Sequence, residues 1–401
     1  MKILQISPYC PYPPSFGGAL RIYNLLKQML RHNEVTLVFP GWEEDAENLR
    51  THFKGRLRVI RVDRNLARVF RRTSQIVSLF TSKSFTYRLG RIRELQSALD
   101  REFDANDYNL VQTEFPHMAT YRLPSGVVRI LDSHNIEYDN FRRIWEKTSA
   151  VMRRVHYYDE YRKIYREELD AFRRQDIVMF TSERDRAIVA NEIPDTRQVI
   201  IPNGVDSEYY HPSGGEREKF SIVFTGVMKY VPNHDGVVFF LDNVFPLIER
   251  KIPGVKFYVV GNAPPDHIVN RQRDNVIVTG FVPDVRPYMD RSTVSVIPLR
   301  MGSGTRLKLV EAFSMRLPVV STSIGAEGID VVDGESVLLA DEPEAFADAV
   351  VRLLRDAELR ARLVRNGYQV MSEKYEWKVI GDRLERVYES VDAGAGVSIN
   401  V

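Results

Sequence analysis

Short apolar, β-branched runs alternate with longer amphipathic stretches along the whole chain, and this constrains the fold more than any other sequence feature. The pattern belongs to parallel sheets joined by crossover helices. Strands are predicted at 2–7, 35–39, 57–62, 110–113, 127–131 and 177–181. A second series is predicted at 221–225, 256–260, 276–278, 294–298, 319–321 and 337–340. The uncharged stretch 237–241 also reads as extended. Helical spacing is clearest at 20–30, where Ile22, Leu25, Leu26, Met29 and Leu30 are apolar. Segments 312–315, 346–354 and 372–390 read as helical too.

At 401 residues the chain is too long for one compact core and suits two domains. The strand series break near 193–215, a stretch rich in Pro, Gly, Asn and Asp. The expected organisation is α/β: a Rossmann-like domain at 1–197 and a second at 198–375. A C-terminal helix in 376–401 is expected to return toward the first domain and end in a frayed tail. No internal repeat of 20–50 residues is evident.

Composition removes several classes. Gly (23) and Pro (20) are too few for a collagen-like or low-complexity chain. A single cysteine, Cys10, excludes an intrachain disulfide framework and a Cys-based zinc site. Together with an N-terminus lacking a signal h-region and no apolar run of membrane-helix length, this points to a cytoplasmic protein. Net charge is +2, which gives no global polyanion signal. Locally, 61–101 holds ten Arg/Lys against three Asp/Glu, interleaved with Phe70, Ile76, Phe80, Phe85 and Tyr87. Segment 141–176 is rich in Arg and Tyr. Such a surface suits an anionic membrane, or else is a solvated helical face. No nucleic-acid-binding module is present.

Three segments carry chemistry. The first strand runs into Gly17-Gly18 and then a helix, where close backbone approach and free N–H groups favour a phosphate. The spacing is not G-x-G-x-x-G, and a flexible turn is the alternative. Asp132-Ser133-His134-Asn135 follows the strand at 127–131, where ligands bind open α/β sheets. His134 could meet a substrate hydroxyl there, or cap the next helix. The other histidines show no metal-ligand spacing. The third segment is Gly302-Ser303-Gly304-Thr305-Arg306-Leu307-Lys308-Leu309-Val310-Glu311, a glycine-rich loop that opens a helix. The loop offers a nest of backbone N–H groups. Arg306 and Lys308 are cations at a helix start, which calls for a bound polyanion. Glu311 lies on the Lys308 face and could accept two ribose hydroxyls.

These segments resemble the group-1 (GT4) retaining glycosyltransferases of the GT-B fold. The resemblance covers nearly the whole chain. Phe16-Gly17-Gly18, Asp132 to Asn135, Ile201 to Asp206, Phe224-Thr225-Gly226, Gly280-Phe281-Val282, the Gly302 to Glu311 block and Gly325 to Gly328 carry it. It implies two Rossmann-like domains facing each other across a cleft, 1–197 on the acceptor side and 198–375 for a nucleotide-sugar donor. It implies Gly17, Gly18, Gly302, Ser303, Gly304, Thr305, Arg306 and Lys308 around a donor diphosphate, and Glu311 on the ribose. It implies Phe281 and Val282 at the base, and His134 as the catalytic, acceptor-side histidine. The sequence departs from the family where Ser303 replaces the first glutamate of the E-x7-E element, and where Val227 replaces an arginine.

The reaction implied is hexosyl transfer from a nucleotide-diphosphate sugar to a glycan or lipid-linked acceptor. Retention, no metal, no cofactor and no enzyme nucleophile are expected, in surface polysaccharide or glycolipid biosynthesis. Peripheral contact with the inner face of an anionic membrane, and none with nucleic acid, completes the expectation. The alternatives are a non-catalytic nucleotide-sugar-binding regulator, or another GT-B enzyme such as a sugar-nucleotide epimerase.

Overall fold

The structure is a computed structural model and describes residues 1–63, 81–302 and 304–392. Ser303, most of the basic part of 61–101 and the expected tail from Ala393 lie outside the described residues. The chain divides into two compact units: 1–202 together with 381–392, and 203–380.

The first unit holds a seven-stranded parallel sheet. Its strands are β1 (Lys2–Ile6), β2 (Glu34–Gly41), β3 (Leu57–Asp63), β4 (Leu110–Glu114), β5 (Val128–Ser133), β6 (Ile177–Phe180) and β7 (Arg197–Ile200). The spatial order is β3-β2-β1-β4-β5-β6-β7, so the winding reverses between β1 and β4. Ligand crevices of doubly wound sheets open at that reversal, beyond the carboxyl ends of the strands.

The second unit holds a six-stranded parallel sheet of β8 (Ser221–Thr225), β9 (Lys256–Val260), β10 (Val276–Gly280), β11 (Val294–Ile297), β12 (Val319–Ser321) and β13 (Leu338–Leu339). Its order is β10-β9-β8-β11-β12-β13, with the reversal between β8 and β11. Ile222, Phe224, Phe257, Val259, Val296 and Val320 are fully or almost fully buried in its core, as parallel strands covered on both faces require.

Four expectations need correction. The stretch 237–241 is not extended: it ends the helix Val231–Phe239 and enters the wider helical turn Phe240–Val244. Val237, Phe240 and Val244 are wholly buried, so the segment is apolar all round and shows no helical stripe. β7 was not expected. It pairs with β6 through Ile177–Arg197 to Phe180–Ile200. A boundary at 197/198 would therefore cut a strand of the first sheet, and the division falls after Pro202.

The helical stretch 372–390 is two helices, Ala357–Lys374 and Trp377–Asp392. They break where the Tyr375 carbonyl accepts from Val205 N (2.8 Å) and Glu376 bridges to Val205. From Gly381 the last helix packs on the first unit. Asp382 pairs with Arg31 (2.8 Å), Glu385 accepts from Asn33 (2.9 Å), and buried Tyr388 donates to Gln112 (2.5 Å).

Candidate functional site

In the first unit the ends of β1, β4 and β5 meet at the winding reversal. β1 leads through 7–16 into the helix Gly17–Met29. Its N-cap, Phe16, supplies no side-chain acceptor to the first-turn N–H groups, which is the usual state of an anion-binding helix start. The two glycines differ. A Cβ on Gly17 would meet nothing within 4 Å, whereas one on Gly18 would lie 2.4 Å from Tyr9 Oη and 3.2 Å from the Phe115 ring. Tyr9 Oη is buried with no hydrogen-bond partner, and burial raises its pKa.

His134 stands just past β5 and is nine-tenths buried. Its ring lies on Phe115, with centroids 3.9 Å apart. Phe115 follows β4 with φ of 69°, a left-handed conformation costly for a non-glycine residue. Its N–H donates to the Asp132 carbonyl (3.0 Å), which helps to hold that geometry. His134 Nε2 lies 2.9 Å from Glu114 Oε2 and 3.5 Å from Asp132 Oδ2. The other oxygen of Glu114 accepts from Gln5 (2.6 Å) and Gln112 (2.8 Å). Arg21 grips Asp132 with two hydrogen bonds of 2.8 and 2.6 Å, and donates to the Pro202 carbonyl (3.0 Å). Burial, then the Asp132 charge, raise the Glu114 carboxyl. Burial alone would raise Asp132 too, but Arg21 and then His134 hold it below the usual carboxylate range. Burial brings His117 down to about 4, so this ring stays neutral beside the pair.

Glu114, Asp132 and His134 bring donor atoms within 4.8 Å of one another, close enough to raise the question of a metal. The donor set argues against one. Both Asp132 oxygens are engaged by a guanidinium, whose charge would repel a divalent cation at that point.

In the second unit the equivalent reversal lies between Gly226, after β8, and the loop from Pro298 to Arg306. Lys308 is in the first turn of the helix Leu307–Ser314. Its ammonium donates to Asn233 Oδ1 (2.7 Å) and sits 4.6 Å over the Phe224 ring. Asn233 is held in turn by the Val227 carbonyl (2.9 Å). A Cβ on Gly226 would lie 2.8 Å from the Asn233 amide and 3.2 Å from Lys308 Nζ, so only glycine fits beside this pair. Burial lowers the Lys308 pKa to about 7, against a raising influence from Glu311. Burial also raises Glu311, which hydrogen-bonds Tyr210. The ammonium and carboxylate expected to work together do lie on one helix face.

Other residues of the loop take different positions. Arg306 is buried; its guanidinium donates to the Ile324 carbonyl (3.2 Å) and approaches Glu327 (3.9 Å). A Cβ on Gly302 (φ 121°) would be 3.0 Å from that guanidinium, so Arg306 braces the loop. Gly304 (φ 77°) has open space around its Cβ position, and Thr305 precedes the helix. Phe281 is exposed just after β10, while Val282 packs on the core. Tyr9, Arg21, Glu114, Phe115, Asn233 and Tyr210 were not singled out from the sequence. An acidic residue ending an apolar strand, as Glu114 ends β4 and Asp132 nearly ends β5, is the signal that could have pointed to two of the neighbours.

Two parallel, doubly wound α/β units with loops of this kind define the GT-B glycosyltransferase class. Residues 17–209 match the family described as Glycosyltransferase Family 4, and 219–356 match Glycosyl transferases group 1. The chain belongs to this family and is a glycosyltransferase. It is 22% identical to an uncharacterised 44.6 kDa protein in the cps region of Klebsiella pneumoniae, over 94% of this chain and 97% of that one. It is 28% identical to the phosphatidyl-myo-inositol mannosyltransferase of Mycolicibacterium smegmatis, over 51% of this chain and 54% of that one. The structure of Anabaena HepE in complex with UDP superposes with a TM-score of 0.68 at 14% identity, covering 97% of this chain and 100% of that chain.

Proposed function

We propose that this glycosyltransferase moves a hexosyl group from a nucleotide-diphosphate sugar to a glycan or lipid-linked acceptor, with retention, in the assembly of surface polysaccharide or glycolipid. The observation that carries the reading is Lys308. An enclosed ammonium lowered to about 7, at an uncapped helix start on a sheet reversal, gains most from a doubly charged anion. Glu311, one turn on, is placed to accept the ribose hydroxyls.

As the glycosidic bond breaks, charge grows on the departing diphosphate. Lys308 and the backbone N–H groups of Gly304 and Thr305 meet that charge by preorganised electrostatics. Arg306 contributes by fixing the loop rather than through a free guanidinium. In the first unit, the uncapped amides at Gly17 and Gly18 offer a second anion-binding face, and His134 a hydrogen-bonding group for a sugar hydroxyl. No side chain is assigned as nucleophile, and no metal or cofactor enters the scheme. A relative named as a capsular polysaccharide biosynthesis glycosyltransferase and the phosphatidyl-myo-inositol mannosyltransferase support a surface glycan or a lipid acceptor, and with it work at a membrane surface.

A thermal-shift panel with UDP, GDP, ADP and their sugar conjugates tests the reading. A ligand at about 100 times its Kd should stabilise by roughly 2.7 kcal/mol. Lys308→Ala and Glu311→Ala should abolish both that shift and transfer while the fold persists. A folded, fully active double variant would remove this site. Product analysis by NMR reports the anomeric configuration, and an epimerised donor in place of a glycoside would replace the transferase scheme.

A further inference from the structure

In the second unit, Glu311 stands one turn into the helix Leu307–Ser314 and is half-buried. A glutamate on a helix surface is ordinarily free to swing, which suits a solvated charge and not a reader of two neighbouring hydroxyls. Here one carboxylate oxygen is claimed, because the Tyr210 hydroxyl donates to it.

Tyr210 is itself held from several sides. Its N–H donates to the Asp206 carbonyl (2.8 Å), and its carbonyl accepts from the Ser314 hydroxyl (2.5 Å). Ser314 lies one turn beyond Glu311 on the same face of the helix, so a single helix grips both the hydroxyl and the backbone of Tyr210. The ring packs on the core of the second unit and edge-on to Tyr209 (centroids 5.0 Å apart). Tyr209 is pinned in turn. Its N–H donates to Asp206 Oδ1 (3.1 Å), and the Arg286 guanidinium lies 3.8 Å over its ring and donates to its carbonyl (2.8 Å). Arg286 opens the helix Arg286–Arg291 and is fixed by Asp284 (2.7 Å). Segment 206–210 is thus a braced strap between that helix and Glu311.

The strap also bears on the charge of Glu311. Burial pushes this carboxyl toward its neutral form, and Lys308 and then the Tyr210 hydroxyl oppose that push. The ionised form matters, since two carboxylate oxygens offer about four acceptor positions. A carboxylate can take the Tyr210 hydroxyl and two vicinal hydroxyls at once, whereas a protonated carboxyl spends one oxygen as a donor.

We propose that Tyr210 is a specificity-determining positioning residue: its hydroxyl sets the Glu311 carboxylate for the vicinal hydroxyls of a ribose and makes the site reject 2′-deoxyribose. A mobile carboxylate facing a deoxyribose would turn to water at little cost. A carboxylate held in place is left with an unpaired acceptor, and that difference is the discrimination. The proposal rests on the reading that Glu311 meets the ribose, and adds what fixes Glu311 and which donors the fixing excludes.

Calorimetric titration of UDP, GDP and ADP, each beside its 2′-deoxy counterpart, tests it without any acceptor. The wild-type chain should bind its preferred ribonucleotide on the order of tenfold more tightly than the deoxy form. Tyr210→Phe removes one oxygen and keeps the ring, and should bring the two forms within about twofold of each other. Arg286→Ala frees Tyr209 without touching Glu311, should lower the ratio in the same direction, and carries the test if the phenylalanine chain does not fold. A wild-type preference that survives in Tyr210→Phe overturns the proposal and leaves the Glu311 reading standing. So does an equal weakening of both forms, the mark of a merely structural hydroxyl. A wild-type chain indifferent to the 2′ hydroxyl removes the Glu311 reading, and this proposal with it.

Discussion

Glu114 and His134 are joined by one buried hydrogen bond, 2.9 Å from Oε2 to Nε2, and it determines which imidazole nitrogen remains available. Oε1 already accepts from two amides, Gln5 and Gln112, which favours a carboxylate that accepts at Oε2 as well. Nε2 is then the donor to Glu114, and Nδ1 is buried and without a partner. Nitrogen NMR of the histidine-labelled chain should show the Nε2-protonated tautomer. Glu114→Gln should shift that signal and lower transfer about 10- to 100-fold, the scale of one lost charge-assisted hydrogen bond. An Nδ1-protonated ring in the wild-type chain would refute this arrangement.

Gly17 and Gly18 should part company under the same substitution. Gly18→Ala drives its methyl group against Tyr9 Oη, with Phe16 and Phe115 packed around the Tyr9 ring. A loss of about 1–3 kcal/mol in stability is expected. Gly17→Ala enters open space in a helical first turn and should be neutral or stabilising by up to about 1 kcal/mol. Urea midpoints of the two variants compare them directly.

Arg21 and Asp132 form an ion pair that is almost fully buried on both sides (1% and 0% exposed). Removing either partner leaves a charge without its counter-ion, so Arg21→Ala or Asp132→Ala should cost about 3–5 kcal/mol. The double variant Arg21→Met/Asp132→Leu should recover part of that loss. Chemical denaturation of all four chains measures the coupling.

Lys308 predicts how donor binding depends on pH. Its free-site pKa is about 7, well under the ordinary 10.5, because burial disfavours the charged form. A diphosphate requires that charge, so above pH 7 binding takes up a proton. Nucleoside-diphosphate affinity should fall as pH rises past 7, by up to about tenfold per unit. The same shift acts oppositely on folding. Between 7 and 10.5 the native chain holds fewer protons than the unfolded one, so this residue's contribution to stability grows as pH rises. Calorimetry in buffers of different ionisation enthalpy detects the proton uptake. Binding that does not change from pH 6.5 to 8.5 contradicts the assignment.

Strands of the second unit such as 221–225, 256–260 and 319–321 were legible to the residue, because each is an unbroken apolar or β-branched run closed by polar or turn residues. β7 was not: Arg197 and Gln198 make up half of its four residues, and it exists by pairing with β6. The 237–241 stretch misled because burial on every side erases the period that separates helix from strand. Lys308 and Glu311 could be read together since one helix turn places them together. The surroundings of His134 could not. Glu114 reaches it, and Arg21 reaches the neighbouring Asp132, only through the order of β1, β4 and β5, which no local spacing encodes. Arg306 shows the converse limit: its motif marked the loop, while the direction of its side chain was fixed by the Ile324 carbonyl and Glu327.

The last helix has a consequence for biosynthesis. Gly381, Asp382, Glu385 and Tyr388 sit against Gln28, Arg31, Asn33 and Gln112, all residues made before 203–380. A ribosome must therefore complete residues 203–380 before these early residues receive their final neighbours. Until then Gln112, two positions from Glu114, lacks the Tyr388 hydroxyl. The nascent first unit leaves the exit tunnel with this surface bare until residues 381–388 follow.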